Sequence, residues 1–85
     1  MGGQNAAIAI RIQLFKLAED DEAVIYQTPV NGGHVAFSVH KATGHVEVVD
    51  DEQQAATDFL VRKVVRALTR CWENGTYPPE TDYRH

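Results

Sequence analysis

The chain has 85 residues, of which 44% are hydrophobic and 24% are charged, the composition of an ordinary globular domain. A formal net charge of −4 argues against the overall positive field of a nucleic-acid-binding domain, and a single cysteine excludes an intramolecular disulfide. The sequence shows neither the charged start of a secretory signal nor the ~18 consecutive apolar residues that a membrane span requires. We therefore predict one cytoplasmic domain without a membrane partner over residues 1–85, beginning with a flexible leader over residues 1–5.

The first predicted element is a strand. Apolar residues fall on one parity near the N-terminus, at Ile8, Ile10, Ile12 and Leu14. A period of two with β-branched residues favours a strand, and we place an acidic turn after it at residues 18–22. A helix over residues 6–18 stays open as the alternative, because Ile8, Ile12 and Phe15 also share one helical face.

The next two strands form the clearest hairpin in the sequence. A strand over residues 23–28 ends at Pro29, which has no N–H to donate to a ladder. Asn31-Gly32 is a strong signal for a two-residue turn, and the third strand covers residues 34–40. This turn pairs Tyr26 with Phe37 and Val24 with Val39.

The connection to a fourth strand fixes the register. A four-residue loop at residues 41–44 places His40 opposite His45 and Val39 opposite Val46. A three-residue loop would instead place Val39 opposite Glu47 and mix the two faces of the sheet. With the four-residue loop, the face toward the helix contains Ile8, Ile10, Ile12, Leu14, Val24, Tyr26, Val35, Phe37, Val39, Val46 and Val48.

The last predicted element is a helix over residues 52–73. Asp50 or Asp51 can cap its N-terminus, and Asn74-Gly75 supplies a left-handed stop. The tail over residues 76–85 contains two prolines and should run extended along the surface. The predicted fold class is α+β: a four-stranded antiparallel β-meander followed by one long C-terminal helix packed on one sheet face, in the order β-β-β-β-α, with a short extended tail.

Two histidines are the candidate metal ligands. His40 and His45 should lie about 5 Å apart at Cβ on the sheet face away from the helix, and the acidic turn at residues 19–22 could add a carboxylate. No fixed ligand spacing supports a site, so we predict solvated histidines and no cofactor. Ser38 and Glu47 share that face with His40, but a flat sheet offers no oxyanion hole, so we predict no catalytic residue.

A basic face is expected on the helix. It consists of Arg62, Lys63, Arg66 and Arg70 and could meet an acidic partner or a phosphate backbone. In an acidic chain, a solvated face with a pair between Asp58 and Arg62 is the simpler interpretation, so a nucleic-acid partner is not favoured. Cys71 lies on the opposite, apolar side of the helix, where a thiol is typically a small buried hydrophobe.

More apolar surface remains than one contact between sheet and helix can bury. A five-residue first turn pairs Leu17 with Ala23 and Phe15 with Ile25, which leaves several apolar residues on the face away from the helix. Such patches mark interfaces, unless a β-bulge near Leu14 or the tail covers them. The predicted partner-binding residues are Phe15, Leu17, Ile25, Val49, Val61, Val65 and Trp72.

These features predict a small non-enzymatic protein-interaction module that forms a homodimer or binds a small protein partner through the outer sheet face or the helix flank. The hairpin, the helix, Gly75 and Pro78-Pro79 follow in an order that resembles small bacterial antitoxins, which neutralise a partner toxin. That likeness of layout implies a regulatory or antitoxin-like role. The alternatives are a nucleic-acid-contacting domain, whose element order would match double-stranded-RNA-binding domains if residues 6–18 were helical, and a metal-binding protein or minor enzyme.

Overall fold

The described residues form a five-stranded antiparallel sheet with one helix packed on one face. The computed structural model describes residues 11–30, 32–52 and 54–84. The elements in chain order are β1 (Arg11–Glu19), β2 (Ala23–Val30), β3 (Gly33–His40), β4 (Val46–Asp50), α1 (Asp58–Asn74) and β5 (Glu80–Arg84). The strand order across the sheet is β4-β3-β2-β1-β5. The predicted α+β fold class is therefore confirmed, with one strand more than expected.

The first element is a strand, so the helical alternative is wrong for the described residues 11–18. Leu14 is fully buried and Ile12 packs against the core, as the period-two pattern predicts. The leader over residues 1–5 and the predicted core residues Ile8 and Ile10 lie outside the described residues.

The central hairpin has the predicted register. Tyr26 pairs with Phe37 and Val24 with Val39, and all four side chains are fully buried. Asn31 lies outside the described residues, but the pair of Val30 and Gly33 on either side of it fits the two-residue turn. The predicted end of β2 at Thr28 is wrong, because Pro29 and Val30 continue the ladder with β3. The described pairing of β2 with β1 stops earlier, at Gln27, so the missing N–H of Pro29 breaks no pair with that strand.

The loop between β3 and β4 also follows the prediction. The amide of His40 donates to the carbonyl of His45 at 2.8 Å, and Val39 pairs with Val46. A β-bulge interrupts this pairing between Ala36 and Phe37, which face Asp50 and Val48. Val48, predicted to lie in the core, is 38% exposed because β4 is an edge strand.

The first turn departs from the prediction. The Asp20 carboxylate accepts hydrogen bonds from the amides of Glu22 and Ala23, both at 2.8 Å, and closes a tighter turn than expected. These two bonds, with Ala23 first, hold the pKa of Asp20 below its usual value. The predicted pairs of Leu17 with Ala23 and Phe15 with Ile25 are therefore wrong, since Phe15 pairs with Gln27 and Ala18 with Ile25.

The helix begins at Asp58, six residues after the predicted start. The reason is the carboxylate of Asp51, which accepts hydrogen bonds from the amides of Ala55 and Ala56 and holds the preceding segment in a turn. Thr57 is the N-cap instead, and its hydroxyl accepts a hydrogen bond from the Leu60 amide at 3.1 Å.

The predicted stop at Asn74-Gly75 is confirmed. Gly75 has a φ of 71°, the left-handed conformation that favours glycine, and its amide donates to the carbonyl of Trp72. The Thr76 amide donates to the carbonyl of Cys71, which completes a double hydrogen-bonded cap. Within the described parts of the chain, no helix combines the length and apolar character needed to cross a membrane.

The predicted surface tail instead ends in a strand. Three successive carbonyls before this strand accept hydrogen bonds from β1 and β2. Lys16 Nζ donates to the Tyr77 carbonyl at 2.8 Å, and the Lys16 amide donates to the Pro79 carbonyl at 2.8 Å. Tyr26 Oη donates to the Pro78 carbonyl between them at 2.6 Å. Fixed at this point, the chain continues as β5 and pairs with β1 from Phe15–Glu80 to Arg11–Arg84.

The core lies between the sheet and the helix. The helix contributes Val64 and Leu68, both fully buried, against the buried face of the sheet. Trp72 anchors the helix to the loop before β4, where its indole Nε1 donates to the carbonyl of Lys41 at 2.9 Å. The indole leaves no room for a side chain at Gly44, which has a φ of 79°. Burial on this scale is the main stabilising term of a small domain.

Candidate interaction surface

The sheet face opposite α1 is here called the outer face. The helix packs on the other face, and no other described element is a helix that could cover this one. Because side chains alternate along a strand, the register decides which residues lie on the outer face. Two of the predicted partner-binding residues lie there on neighbouring strands, Phe15 next to Gln27 and Ile25 next to Ala18, and Leu17 is the unpaired residue of β1 between Phe15 and Ala18.

Leu17 is the most exposed of these residues. It is the extra residue of a β-bulge between Lys16 and Ala18, and 53% of its surface is accessible to solvent. The bulge considered in the sequence analysis exists, but it lies at Leu17 rather than near Leu14 and leaves the side chain in solvent. Phe15 and Ile25 are half-buried. An exposed leucine beside two partly covered apolar side chains makes a compact apolar patch.

Val49 is separate from this patch. It is the extra residue of the bulge in the edge strand β4 and is 49% exposed. Two central strands, β2 and β3, separate it from β1. Between them lie Ala36 and Ser38, which are small and nearly buried, so little of the middle of the outer face is accessible to solvent.

The predicted histidine pair is present on the outer face. The imidazole rings of His40 and His45 are 6.0 Å apart between centroids. Both Nε2 atoms face the Glu47 carboxylate, at 3.5 Å for His40 and 3.6 Å for His45. A third histidine, His34, faces Asp50 at 3.6 Å at the other end of the strand. Among the described residues, no three His, Cys, Asp or Glu side chains are arranged as a metal site.

Glu19 of the acidic turn, predicted as a possible carboxylate ligand beside the two histidines, is paired with two lysines instead. That carboxylate accepts hydrogen bonds from Lys16 at 2.7 Å and Lys41 at 2.8 Å. The two ammonium groups, Lys16 first, lower the pKa of Glu19 to about 2, and Glu19 in turn raises the pKa of Lys41. This arrangement ties the tip of the β1–β2 turn to the loop that follows β3.

The serine, histidine and carboxylate noted in the sequence do not form a nucleophilic site. Ser38 pairs with Glu47 across the strands, as expected, but only 5% of its surface is accessible. The Glu47 carboxylate lies 3.5 Å from Nε2 of His40, and no hydrogen bond joins it to the Ser38 hydroxyl among the described contacts. A hydroxyl enclosed in a flat sheet, with no hydrogen-bonded histidine beside it in the described contacts, lacks the activation that a nucleophile needs.

On the helix flank, the predicted partner-binding residues Val61 and Trp72 are half-buried and pack against the core. Trp72 also makes the hydrogen bond to Lys41. Val65 is half-buried and lines a shallow depression together with Arg62, Arg66, Thr69, Arg70 and Glu73. Phe59, 44% exposed, is the other large apolar residue on this side and carries the Lys63 ammonium at 5.3 Å from its ring.

The basic face is present and is largely solvated. Arg62, Arg66 and Arg70 are exposed, and none of them forms an ion pair with another described residue; the expected pair between Asp58 and Arg62 is absent there. Lys63 behaves differently, because its ammonium lies 5.1 Å from the Tyr83 ring of β5. The face therefore presents three guanidinium groups to solvent that have no ion-pair partner within residues 11–30, 32–52 and 54–84.

Strand β5 and the residues along it were missed in the sequence. Glu80 and Asp82 pair with Phe15 and Gln13, so they lie on the outer face, while Thr81 and Tyr83 lie toward α1. The alternation of Thr81 and Tyr83 after Pro78-Pro79 was the one available signal. Comparison with protein-family models, curated proteins and solved structures finds no match to this chain.

Proposed function

We propose that the protein is a non-enzymatic interaction module that forms a homodimer in the cytoplasm by packing the outer faces of two sheets together. The observation that supports this most directly is the exposed Leu17 beside Phe15 and Ile25 on a face that no described helix covers. A contiguous apolar patch on a small domain is typical of a protein interface.

The dimensions of the outer face suit a second copy of the sheet. Strands lie about 4.8 Å apart and extend about 3.3 Å per residue, so a sheet of this kind presents roughly 600 Å². A standard interface buries about 800 Å² on each partner, which places this face at the small end of the range. We therefore expect a dimer with a small interface, which is detected most readily at high protein concentration.

The two edges of the outer face carry different polar groups. At the histidine edge, beside β4, His34 faces Asp50 and both His40 and His45 face Glu47, so the histidines already have carboxylate partners. At the acidic edge, along β5, lie Glu80 and Asp82. A two-fold axis parallel to the strands and centred on β2 lays the histidine edge of one copy over the acidic edge of the other. Such an isologous contact is self-closing, so it favours a dimer over a filament.

Sedimentation equilibrium of the wild type and of two matched variants tests this proposal. Leu17→Glu introduces a charge into the patch at an exposed bulge residue, and Phe59→Glu introduces the same charge at a similarly exposed residue of α1. We expect the wild type and Phe59→Glu to show the same concentration-dependent dimer, and Leu17→Glu to stay monomeric. A wild type that is monomeric at millimolar concentration, or equal effects of the two variants, would contradict the proposal. Circular dichroism checks that both variants are folded.

A non-enzymatic role is supported by the enclosed Ser38 hydroxyl and by the solvated arrangement of the histidines. An antitoxin-like or other regulatory role in a bacterium would use the same face for a different partner. The sedimentation experiment separates these possibilities when it is repeated with a candidate partner, because a hetero-complex through the outer face must also be lost in Leu17→Glu.

A further inference from the structure

A second site lies away from the outer face, in a cleft between the C-terminal half of α1 and the segment that leads into β5. Its volume is about 240 Å³. The helix side contributes Arg66, Arg70 and Cys71, and the tail side contributes Thr76 and Thr81. At about 30 Å³ per water molecule, the cleft has room for about eight waters or for a small organic molecule.

The charge at this cleft is unusual for the chain. The protein has 12 acidic residues against 8 lysines and arginines, yet half of those basic residues lie between positions 62 and 70. Arg66 and Arg70 are one helical turn apart, so they lie on the same side of α1, and neither has an ion-pair partner among the described residues. Like charges at this spacing repel each other, and an anion between them would remove that repulsion.

The lining supplies the rest of a binding site for an anion with a small apolar body. Ala67 and Cys71, both buried, form an apolar floor. The hydroxyls of Thr76 and Thr81 provide hydrogen-bond donors at the tail side. Asp82 also lines the cleft and makes an interaction of its own, and the register of β5 with β1 places it on the outer face of the sheet.

We propose that this cleft binds a small organic anion, whose carboxylate or phosphate group is held by Arg66 and Arg70 and whose apolar part rests on Ala67 and Cys71. The planar guanidinium group forms paired hydrogen bonds with either kind of anion, which is why both chemistries fit. The cleft and the apolar patch around Leu17 are on different faces, so this site is independent of dimer formation.

The test uses three probes of similar size at constant ionic strength: benzoate, phenyl phosphate, and uncharged benzamide, which has nearly the shape of benzoate. Amide NMR spectra of the full chain are recorded during each titration. We expect saturable shifts at residues 71, 76 and 81 with benzoate or phenyl phosphate, and the tighter of the two identifies the preferred anion. Benzamide should produce none. Equal binding of benzamide, or no saturable shift with either anion, would overturn the proposal.

Two kinds of variant then locate the contact. Arg66→Gln and Arg70→Gln should each weaken the anion by about tenfold or more, because each removes a charge-assisted hydrogen bond. Arg62→Gln, one helical turn before Arg66 but outside the cleft, should leave the affinity within about twofold, because it removes a solvent-screened charge and no hydrogen bond to the anion. Equal losses in all three variants would indicate a diffuse basic surface, such as one for nucleic acid, and would refute a defined site.

The only cysteine of the chain gives an independent readout. Cys71 is 8% exposed and lines the cleft, so an occupant should shield its thiol. We expect a saturating anion to slow alkylation by neutral iodoacetamide severalfold in the wild type, and to have no effect in the Arg66→Gln/Arg70→Gln double variant. Alkylation that is equally fast with and without the anion would contradict binding at this position.

Discussion

Replacing Gly44 with alanine should destabilise the protein far more than the same change at other left-handed glycines. Gly44 has a φ of 79°, and a Cβ built there would lie 2.6 Å from Cδ2 of Trp72, well inside the ordinary contact range of 3.4–4 Å. The left-handed backbone alone costs a non-glycine residue about 1 kcal/mol. Relieving the overlap requires a shift of about 1 Å in the indole, and such overpacking costs about 1–3 kcal/mol.

The same shift endangers the hydrogen bond from Trp72 Nε1 to the Lys41 carbonyl, which contributes about 1 kcal/mol. Together these effects predict a loss of about 3–5 kcal/mol in the free energy of unfolding for Gly44→Ala. A chain of this length is stable by roughly 4–13 kcal/mol, so the loss is a large fraction of the total. The corresponding decrease in Tm is about 12–40 °C.

Gly32→Ala is the matched control, because Gly32 has a φ of 83° with nothing within 4 Å of the added Cβ. It should cost only the backbone term, about 1 kcal/mol. Urea denaturation followed by the fluorescence of the single tryptophan measures both variants. Equal losses in the two variants would refute the close approach of Trp72 to the loop.

Three further predictions concern the contacts that define the ends of the elements. Tyr26→Phe removes the hydrogen bond to the Pro78 carbonyl and should lower the free energy of unfolding by about 1–2 kcal/mol. Amide exchange measured by NMR should accelerate more in β5 than in β3, relative to the wild type. Thr57→Ala removes the N-cap and should cost about 1 kcal/mol in urea denaturation; an unchanged midpoint would mean that the cap is dispensable. Because the folded pKa of Glu19 is about 2, below its ordinary value of 4.5, its contribution to stability is present above pH 4.5 and is lost as the pH falls toward 2. The stability advantage of the wild type over Glu19→Gln should therefore shrink across that interval, and an advantage that stays constant would contradict the paired carboxylate.

The parts of the fold that the sequence predicted correctly are those set by local patterns. The Asn31-Gly32 dipeptide predicted the register of the central hairpin, and matching apolar residues across residues 41–44 predicted the next register, because a slip by one residue would reverse both faces. Asn74-Gly75 ended the helix as expected, since only a residue tolerant of the left-handed conformation completes this cap.

The predictions of the first turn and of the helix start were wrong because a polar side chain can accept hydrogen bonds from any of several nearby backbone amides. Asp20 binds the amides of its own turn and shortens it, which moves the extra residue to Leu17. Asp51 binds the amides of Ala55 and Ala56, so the helix starts late. Composition does not distinguish such local hydrogen bonds from helix capping, because the same residue types serve both.

Strand β5 was missed for a different reason. Glu80–Arg84 is short and mostly polar, and its partner β1 is at the other end of the chain. Hydrogen bonds from Lys16 and Tyr26 to the carbonyls just before β5 position this strand. These contacts form only when β1 and β2 are already paired in the sheet. The cleft lined by Arg66 and Arg70 depends on β5, so it too could not be foreseen from the sequence.

The central claim is that the outer face of the sheet binds a second copy, and contacts between differently labelled copies test it most directly. A sample that mixes isotope-labelled and unlabelled protein at high concentration gives isotope-filtered NOEs only across the interface. We expect NOEs that join Leu17 and Ile25 methyl groups of one copy to the outer face of the other. Intermolecular NOEs from Val65 on α1, with none from Leu17 or Ile25, would contradict the account.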